Sequence, residues 1–401
     1  MIPSKIREDF PILQKQINGK PIVYADNACM TLKPRQIVEK MNEYYNEYTA
    51  CVGRSNHKLG KKATEEYNKA RKKIAEFIRC KDNEVIFTRN TTEGINLIAH
   101  SFGLKSGDVV VNTDKEHNSN LVPWQLLEKN GIKRIIIPSK DDNTFDIERF
   151  KSMIIKDVKL VSIVHTSNLD GVTNPIKEII KIAHDQGARV LIDGAQSIPH
   201  KEIDVRKLDI DFLAFSGHKM CGPTGTGILY GKHDLLEKLE PFMVGGDTVD
   251  HTTYTEHKFL KPPEKFEAGL QNYAGMIGLG EACNYIRKIG IHHIEKHEIE
   301  LNKIITDGIS QIPGLKILGP QNPSLRGGVI SMIVEKMHPH DISLMLDNTQ
   351  NIFIRSGQHC VHSWFRSRKI EGSARASLYF YNTKEEAELF VETMKKIVKI
   401  R

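Results

Sequence analysis

From residue 84 to 230 the chain alternates between short runs of β-branched and apolar residues and stretches whose apolar positions recur three and four apart. The runs are EVIFT (84–88), DVVVNT (108–113), KRIIIP (133–138), KLVSIVH (159–165), ARVLID (188–193), DFLAFS (211–216) and GILYG (227–231). Such runs are too short for buried helices and too continuously apolar for half-exposed strands, so they predict seven strands of a mainly parallel sheet between helices, an α/β fold. The stretch 240–269, with GGDT and KPPEKFEAG, is polar and irregular, and connections of that length are often functional. A helical pattern follows over about 273–311, then a shorter α+β region with the strand-like GGVISMIV (327–334). Thr383 with Glu386 three residues later has capping-box spacing and announces a last helix.

Composition narrows the setting. The 401 residues are enough for a substantial core and two domains. The 6 cysteines include no CxxC pair, which fits a reducing, cytoplasmic setting better than a disulfide framework or a zinc ribbon. The first residues, MIPSKIREDFPILQ, lack a signal-peptide apolar core, and no run approaches the ~18 apolar residues of a membrane span. No membrane partner is expected. The net charge of +7 is spread among alternating Lys, Arg and Glu. Its densest cluster, KKATEEYNKARKK (61–73), has Ala63, Tyr67, Ala70, Ile74, Phe77 and Ile78 at helical spacing, which predicts a solvated helix face and no nucleic-acid partner.

The chemistry gathers where the strands end. In open parallel sheets ligands bind outside the carboxyl ends of the strands. EVIFT runs into Arg89-Asn90-Thr91-Thr92-Glu93-Gly94, a helix start suited to a phosphate; DVVVNT leads to His117, KLVSIVH to Asn168, ARVLI to Asp193 and Gln196, and DFLAF to Ser216, His218 and Lys219. Singly, each has an ordinary structural use as a helix cap or a loop hydrogen bond. Together they meet the needs of one cofactor, pyridoxal 5'-phosphate: a lysine for a Schiff base, a carboxylate for the pyridine nitrogen, a ring to stack and donors for the phosphate. Lys219 is therefore read as the Schiff-base lysine, and Gly222, Gly225 and Gly227 as the turn beneath it. GPTGTG has neither GxGxxG spacing nor a P-loop ending.

These residues sit in motifs that are familiar as a set. The chain resembles the fold-type I, class V aminotransferase-like enzymes, above all the SUF-type cysteine desulfurases and selenocysteine lyases, through YADNACMTLKP (24–34), TTEGINLIAHS, EHNSNLVPWQ, HTSNLDG, LIDGAQSIPH, SGHKMCGPTGTGILYG, FEAG, RSGQHC and GSARASLYFYNT (372–383). The resemblance implies a large cofactor domain (21–272), a smaller α+β C-terminal domain (273–401) and an N-terminal segment (1–20) packing with the small domain. It implies that Lys219 carries the cofactor, Asp193 faces its pyridine nitrogen, Gln196 its phenolic oxygen and His117 stacks on its ring. Thr92, Ser216 and His218, with Thr91 beside them, match phosphate positions; Asn168 and Arg375 match the residues holding the substrate carboxylate; and His57, in RSNHKLG, matches an active-site histidine.

RSGQHC sets the desulfurases apart. The resemblance assigns Cys360 as the thiol that takes sulfur from L-cysteine as a persulfide, with a homodimer, a sulfur-acceptor or iron–sulfur scaffold protein as partner, and iron–sulfur cluster assembly as the destination. Cys221 is the rival thiol, and a mobile loop around Cys360 is the expected geometry. Catalysis is thus expected from Lys219, Cys360 and His117, with no metal. Two other readings stay open: selenocysteine lysis or transamination on the same scaffold, and a non-catalytic metal or iron–sulfur delivery protein using His359, Cys360 and His362. The sequence departs from the family at Leu270, where relatives carry a hydroxyl reaching the phosphate across the dimer, at Asn118-Ser119, and at Val361-His362-Ser363-Trp364-Phe365.

Overall fold

The computed structural model describes residues 4–154 and 156–400. All seven apolar runs form strands of one sheet: β2 (Val85–Thr88), β3 (Val109–Thr113), β4 (Lys133–Ile137), β5 (Val158–Val164), β6 (Arg189–Asp193), β7 (Phe212–Ser216) and β8 (Gly227–Gly231), after a short β1 (Val23–Tyr24). The sheet order is β2-β8-β7-β6-β5-β3-β4. Six of its seven strands point the same way, and β8 alone runs antiparallel to both neighbours. Alternate residues of the buried strands serve opposite faces. Val111, Val161, Ile192 and Phe215 join one core, while Val110, Leu160, Leu191 and Phe212 join another. The unbroken apolar runs follow from this two-sided burial.

Helices α1 (Arg35–Glu47), α2 (Lys58–Ile78) and α5 (Tyr273–Ile289) cover the first of these faces, while α3 (Thr91–Ser101) lies on the second; α4 (Ile176–Asp185) also belongs to the first. Helix α2 buries Ala63, Tyr67, Ala70, Ile74 and Ile78, as its spacing predicts, but its charges are not all solvated. Arg71 is buried against the Phe87 ring at 3.9 Å and grips Glu267 through two bonds of 2.8 Å. A charge at helical position 71 faces inward because a carboxylate from a distant loop meets it there. Gly280 lets α5 lie against α2: a Cβ there would come within 2.7 Å of the Ala70 Cα.

The helical pattern over 273–311 is two helices, because Gly290 breaks it at φ 87° before α6 (Ile291–Ile309). The stretch 240–269 is not wholly irregular either; it carries an exposed hairpin of β9 (Val249–Thr252) and β10 (His257–Phe259).

A second, antiparallel sheet has the order β11-β12-β15-β14, from β11 (Leu315–Ile317), β12 (Val329–Val334), β14 (Arg355–Gly357) and β15 (Ser373–Ser377). With α6, α7 (Pro339–Gln350) and α9 (Lys384–Lys399) it encloses its own core, including Ile330, Met332, Ala374 and Phe390. The Thr383–Glu386 capping box opens α9. β1 pairs in parallel with β13 (Ile352–Phe353), and Ser377 N–H donates to the Ala25 carbonyl at 2.7 Å. The N-terminal residues reach the same region: Arg7 pairs with Glu386 at 2.8 Å, and the Phe10 ring lies 4.6 Å from that of Tyr381. No described helix is long and apolar enough to cross a membrane.

Candidate active site

The β7–β8 connection sets Lys219 at the sheet edge. Its first turn is tight: a Cβ on Gly217 would approach Thr226 Oγ1 to 2.2 Å, so only glycine fits. Thr31 N–H and the Lys33 ammonium both donate to the His218 carbonyl, at 3.0 Å each, and fasten the turn to the segment after β1. Gly227 lies so close to Asn90 that a Cβ would meet that backbone at 2.5 Å. This contact brings the first turn of α3, with Thr91 and Thr92, beside the Lys219 turn.

A cavity of about 240 Å³ opens between the two sheets. Thr91, Thr92, His117, Asn168, Asp193, Gln196, Ser216, His218, Lys219, Cys360 and Arg375 all line it. His57 does not; it caps α2, its Nδ1 accepting from Gly60 N–H at 3.3 Å. Cys221 is also outside, fully buried, with its thiol pushed up to about 12 by burial. A larger cleft of about 790 Å³, lined by His165, Lys181, Lys201 and Glu295, contains none of these residues; chemistry rather than volume marks the site.

Four hydroxyls gather at one end. Ser216 Oγ lies 2.7 Å from Thr91 Oγ1 and accepts from Thr91 N–H at 2.9 Å. Thr92 Oγ1 lies 2.7 Å from Ser119 Oγ, which sits 3.0 Å from His117 Nδ1. That same Nδ1 accepts from Ser119 N–H at 3.1 Å, so the ring proton belongs on Nε2. Ser119 thus links the ring at His117 to the hydroxyl of Thr92. As a small residue inside a departure from the family motif, it carries no signal in sequence.

Burial governs the charges. It pushes the Lys219 ammonium down and the Asp193 carboxyl up, while each partly holds the other's charge. His117 is held at about 3 by burial and then by Lys219 and Arg375, and His218 at about 4 by burial and then by Lys219, so both rings are neutral at pH 7. Gln196 is anchored by its amide, which donates to the Ala28 carbonyl at 2.6 Å. Arg375, only 1% exposed, donates from Nη1 to the Asn168 carbonyl at 2.8 Å and meets Asp26 at 3.4 Å. Its Nε has no partner among the described residues, a costly state unless a ligand accepts from it.

The turn carrying Cys360 is not the free loop expected. His359 and Cys360 adopt φ of 48° and 59°. The His359 carbonyl accepts from Asn168 Nδ2 at 2.7 Å, and the Cys360 carbonyl from Asn118 N–H at 2.8 Å. Helix α8 (His362–Ser367) then buries Trp364 and Phe365 against Leu169, Leu318 and Val361. Asn118 Nδ2 donates to His362 Nδ1 at 2.8 Å, so the two departures at 118 and 362 meet. The bulky segment packs, and the packing fixes the turn. The cavity also admits a second thiol, Cys29, whose Sγ accepts from Arg355 Nη1 at 2.6 Å. Cys29 lies within YADNACMTLKP, but nothing in that stretch alone shows that it reaches the same cavity as Cys360.

The family profile described as aminotransferase class-V matches residues 23–390. A "Probable cysteine desulfurase" of Synechocystis sp. is 43% identical over 405 residues, covering 99% of this chain and 96% of that protein. A "Cysteine desulfurase" of Haloferax volcanii is 39% identical, covering 97% and 95% respectively. Among solved structures, an apo cysteine desulfurase from Thermococcus onnurineus NA1 superposes with a TM-score of 0.95 at 40% identity, covering 100% of this chain and 99% of the other. The Escherichia coli cysteine desulfurase CsdA gives 0.92 at 31% identity with the same coverage.

Proposed function

Because the chain belongs to the class-V aminotransferase family, we propose that it is a cysteine desulfurase that uses pyridoxal 5'-phosphate to convert L-cysteine to L-alanine, keeping the sulfur on Cys360 as a persulfide. The observation that carries this reading is one cavity in which a buried lysine and carboxylate, a thiol and a buried arginine whose Nε has no partner among the described residues converge. The donor set fits the cofactor. Lys219 would hold it covalently, with Asp193 at the pyridine nitrogen, Gln196 at the phenolic oxygen and His117 against the ring. Thr91, Thr92, Ser216 and His218 would meet the phosphate. When bound, pyridoxal phosphate supplies an electron-withdrawing ring that stabilises negative charge on the amino-acid carbon beside it.

The chain's own groups do the rest. Burial favours the neutral amine of Lys219, the form that reacts with a carbonyl and accepts a proton at Nζ. Arg375 offers its free Nε to the substrate carboxylate, while the Asn168 carbonyl and Asp26 keep the guanidinium plane fixed. Cys360 lines the same cavity on a pinned turn, from which its sulfur would attack the substrate sulfur. His57, outside the cavity, would act only from a second copy of the chain. We read the enzyme as a homodimer whose interface includes the exposed Phe242, Met243, Val244 and Leu270, the last 72% exposed. A sulfur-acceptor or iron–sulfur scaffold protein would take the persulfide onward.

Selenocysteine lysis and transamination use the same cavity; Cys360 favours desulfuration because transamination needs no thiol. The metal-delivery reading has less support: among the described residues no three His, Cys, Asp or Glu side chains are placed to ligate one ion. The test compares turnover of cysteine, selenocysteine, and an amino acid with a keto acid, together with borohydride reduction. Reduction is expected to fix the cofactor to the parent and not to Lys219→Ala. Covalent cofactor in that variant, or no alanine from cysteine in the parent, overturns the reading.

A further inference from the structure

Two thiols share the cavity, and only one has a task so far. Cys29 lies in the connection between β1 and α1, fixed by its own N–H, which donates to the Asp26 carbonyl at 3.1 Å. Arg355, at the start of the strand that runs into the Cys360 turn, donates to its sulfur at 2.6 Å. Both sulfurs lie close enough to Lys219 to act on its charge. The other four cysteines do not line the cavity, and Cys221 and Cys283 are sealed in the core. Two buried groups on the same walls, Arg375 Nε and His359 Nδ1, are unpartnered among the described residues, and both residues are under 5% exposed. A cavity with such groups is built to hold small polar occupants.

Resting on the reading of Cys360 as first acceptor, we propose that Cys29 is a second sulfur site, which takes the outer sulfur of the Cys360 persulfide and holds it beside Arg355. The step is an exchange at sulfur. The Cys29 thiolate attacks the outer sulfur, a new S–S bond forms on Cys29, and the old S–S bond breaks with its electron pair leaving on Cys360. The proton on the outer sulfur stays there, and the proton lost by Cys29 goes to Cys360. Nothing is oxidised or reduced overall. The guanidinium of Arg355 suits the anionic form of the product, and Cys360 is free for another substrate while the first sulfur waits.

The test uses the cofactor-loaded protein, given L-cysteine without reductant, alkylated, digested and mapped by mass spectrometry. In the parent the peptides of both Cys360 and Cys29 are expected to carry an extra sulfur. Cys360→Ser is expected to leave Cys29 unloaded, and Cys29→Ser to load Cys360 while reductant-releasable sulfur per chain falls by about half. Cys29 bare in a parent whose Cys360 is loaded overturns the proposal. So does a Cys29–Cys360 disulfide with release of hydrosulfide, which marks attack on the inner sulfur, or sulfur on Cys29 in Cys360→Ser, which marks direct acceptance. A parent in which Cys360 never loads, although cofactor is bound, overturns the reading of the site along with this one.

Discussion

Replacing Arg375 with lysine tests the substrate anchor without emptying the site. Alanine would leave Asp26 facing a hole, whereas lysine keeps a positive charge beside it and removes only the planar fork. In the parent, Nη1 is occupied by the Asn168 carbonyl, so on the proposed reading a substrate carboxylate would take its bond from Nε and share Nη2 with Asp26. A lysine ammonium cannot supply that fixed pair. Losing one charge-assisted hydrogen bond is worth about 1.5–3 kcal/mol, so the KM for cysteine should rise roughly 10- to 150-fold. Because the bond exists before and during reaction, kcat should change much less. Initial-rate measurement of alanine checks this, with cysteamine binding as the control, since it lacks the carboxylate and should bind both proteins alike. A KM within about twofold of the parent, or an equal loss for cysteamine, refutes the anchor and leaves Arg375 a structural residue that joins Asp26 to Asn168.

Cys360→Ser should bind cysteine yet yield almost no alanine or persulfide, while Cys221→Ser stays active; alanine assays with the reverse outcome would move the nucleophile to Cys221. Ser119→Ala should weaken pyridoxal phosphate binding about three- to tenfold by removing one hydroxyl beside Thr92, and should leave pyridoxal without its phosphate unaffected; fluorescence titration that finds equal losses for both ligands points instead to the orientation of His117. Buried His165 is held at about 3 by burial and stays neutral when folded, whereas the unfolded chain protonates it below about 6.5. Stability should therefore fall as pH drops from 6.5 towards 3, by up to about 1.4 kcal/mol per pH unit from this group, and His165→Gln should lessen that slope by one proton. Urea unfolding at several acidic pH values reads the slope, and an unchanged one removes His165 from the account.

The seven strands were legible because β-branched runs buried on both faces leave a continuous apolar signal, and strand-end polar residues such as Asp193 and Lys219 stood out against it. What the sequence hid depends on contacts between distant segments. Arg71 looks solvated until Glu267 arrives from 196 residues away. The turn around Cys360 looks free until Asn118 and Asn168 bind its carbonyls. Cys29 and Ser119 are small residues in loops, and only the packing of β1 against the second sheet and of the His117 loop against α3 brings them to the cavity. Gly290 was visible in the sequence, but a helical pattern continued on both sides of it, and only its φ of 87° separates the two helices.

The pairing of β1 with β13 and of Ala25 with Ser377 also orders events during synthesis. Asp26 must wait for Arg375, 349 residues later, and at ~5–20 residues per second that takes roughly 20–70 s on the ribosome. The parallel sheet has its strands complete by residue 231, so it can collapse while the segment bearing Arg355, Cys360 and Arg375 is still being made. The nascent protein thus exposes Lys219, Thr91, Thr92 and Ser216 before the wall bearing Cys360 and Arg375 is made. On the proposed reading, cofactor capture precedes completion of the second sheet, whereas chemistry that needs Cys360 or Arg375 waits for it.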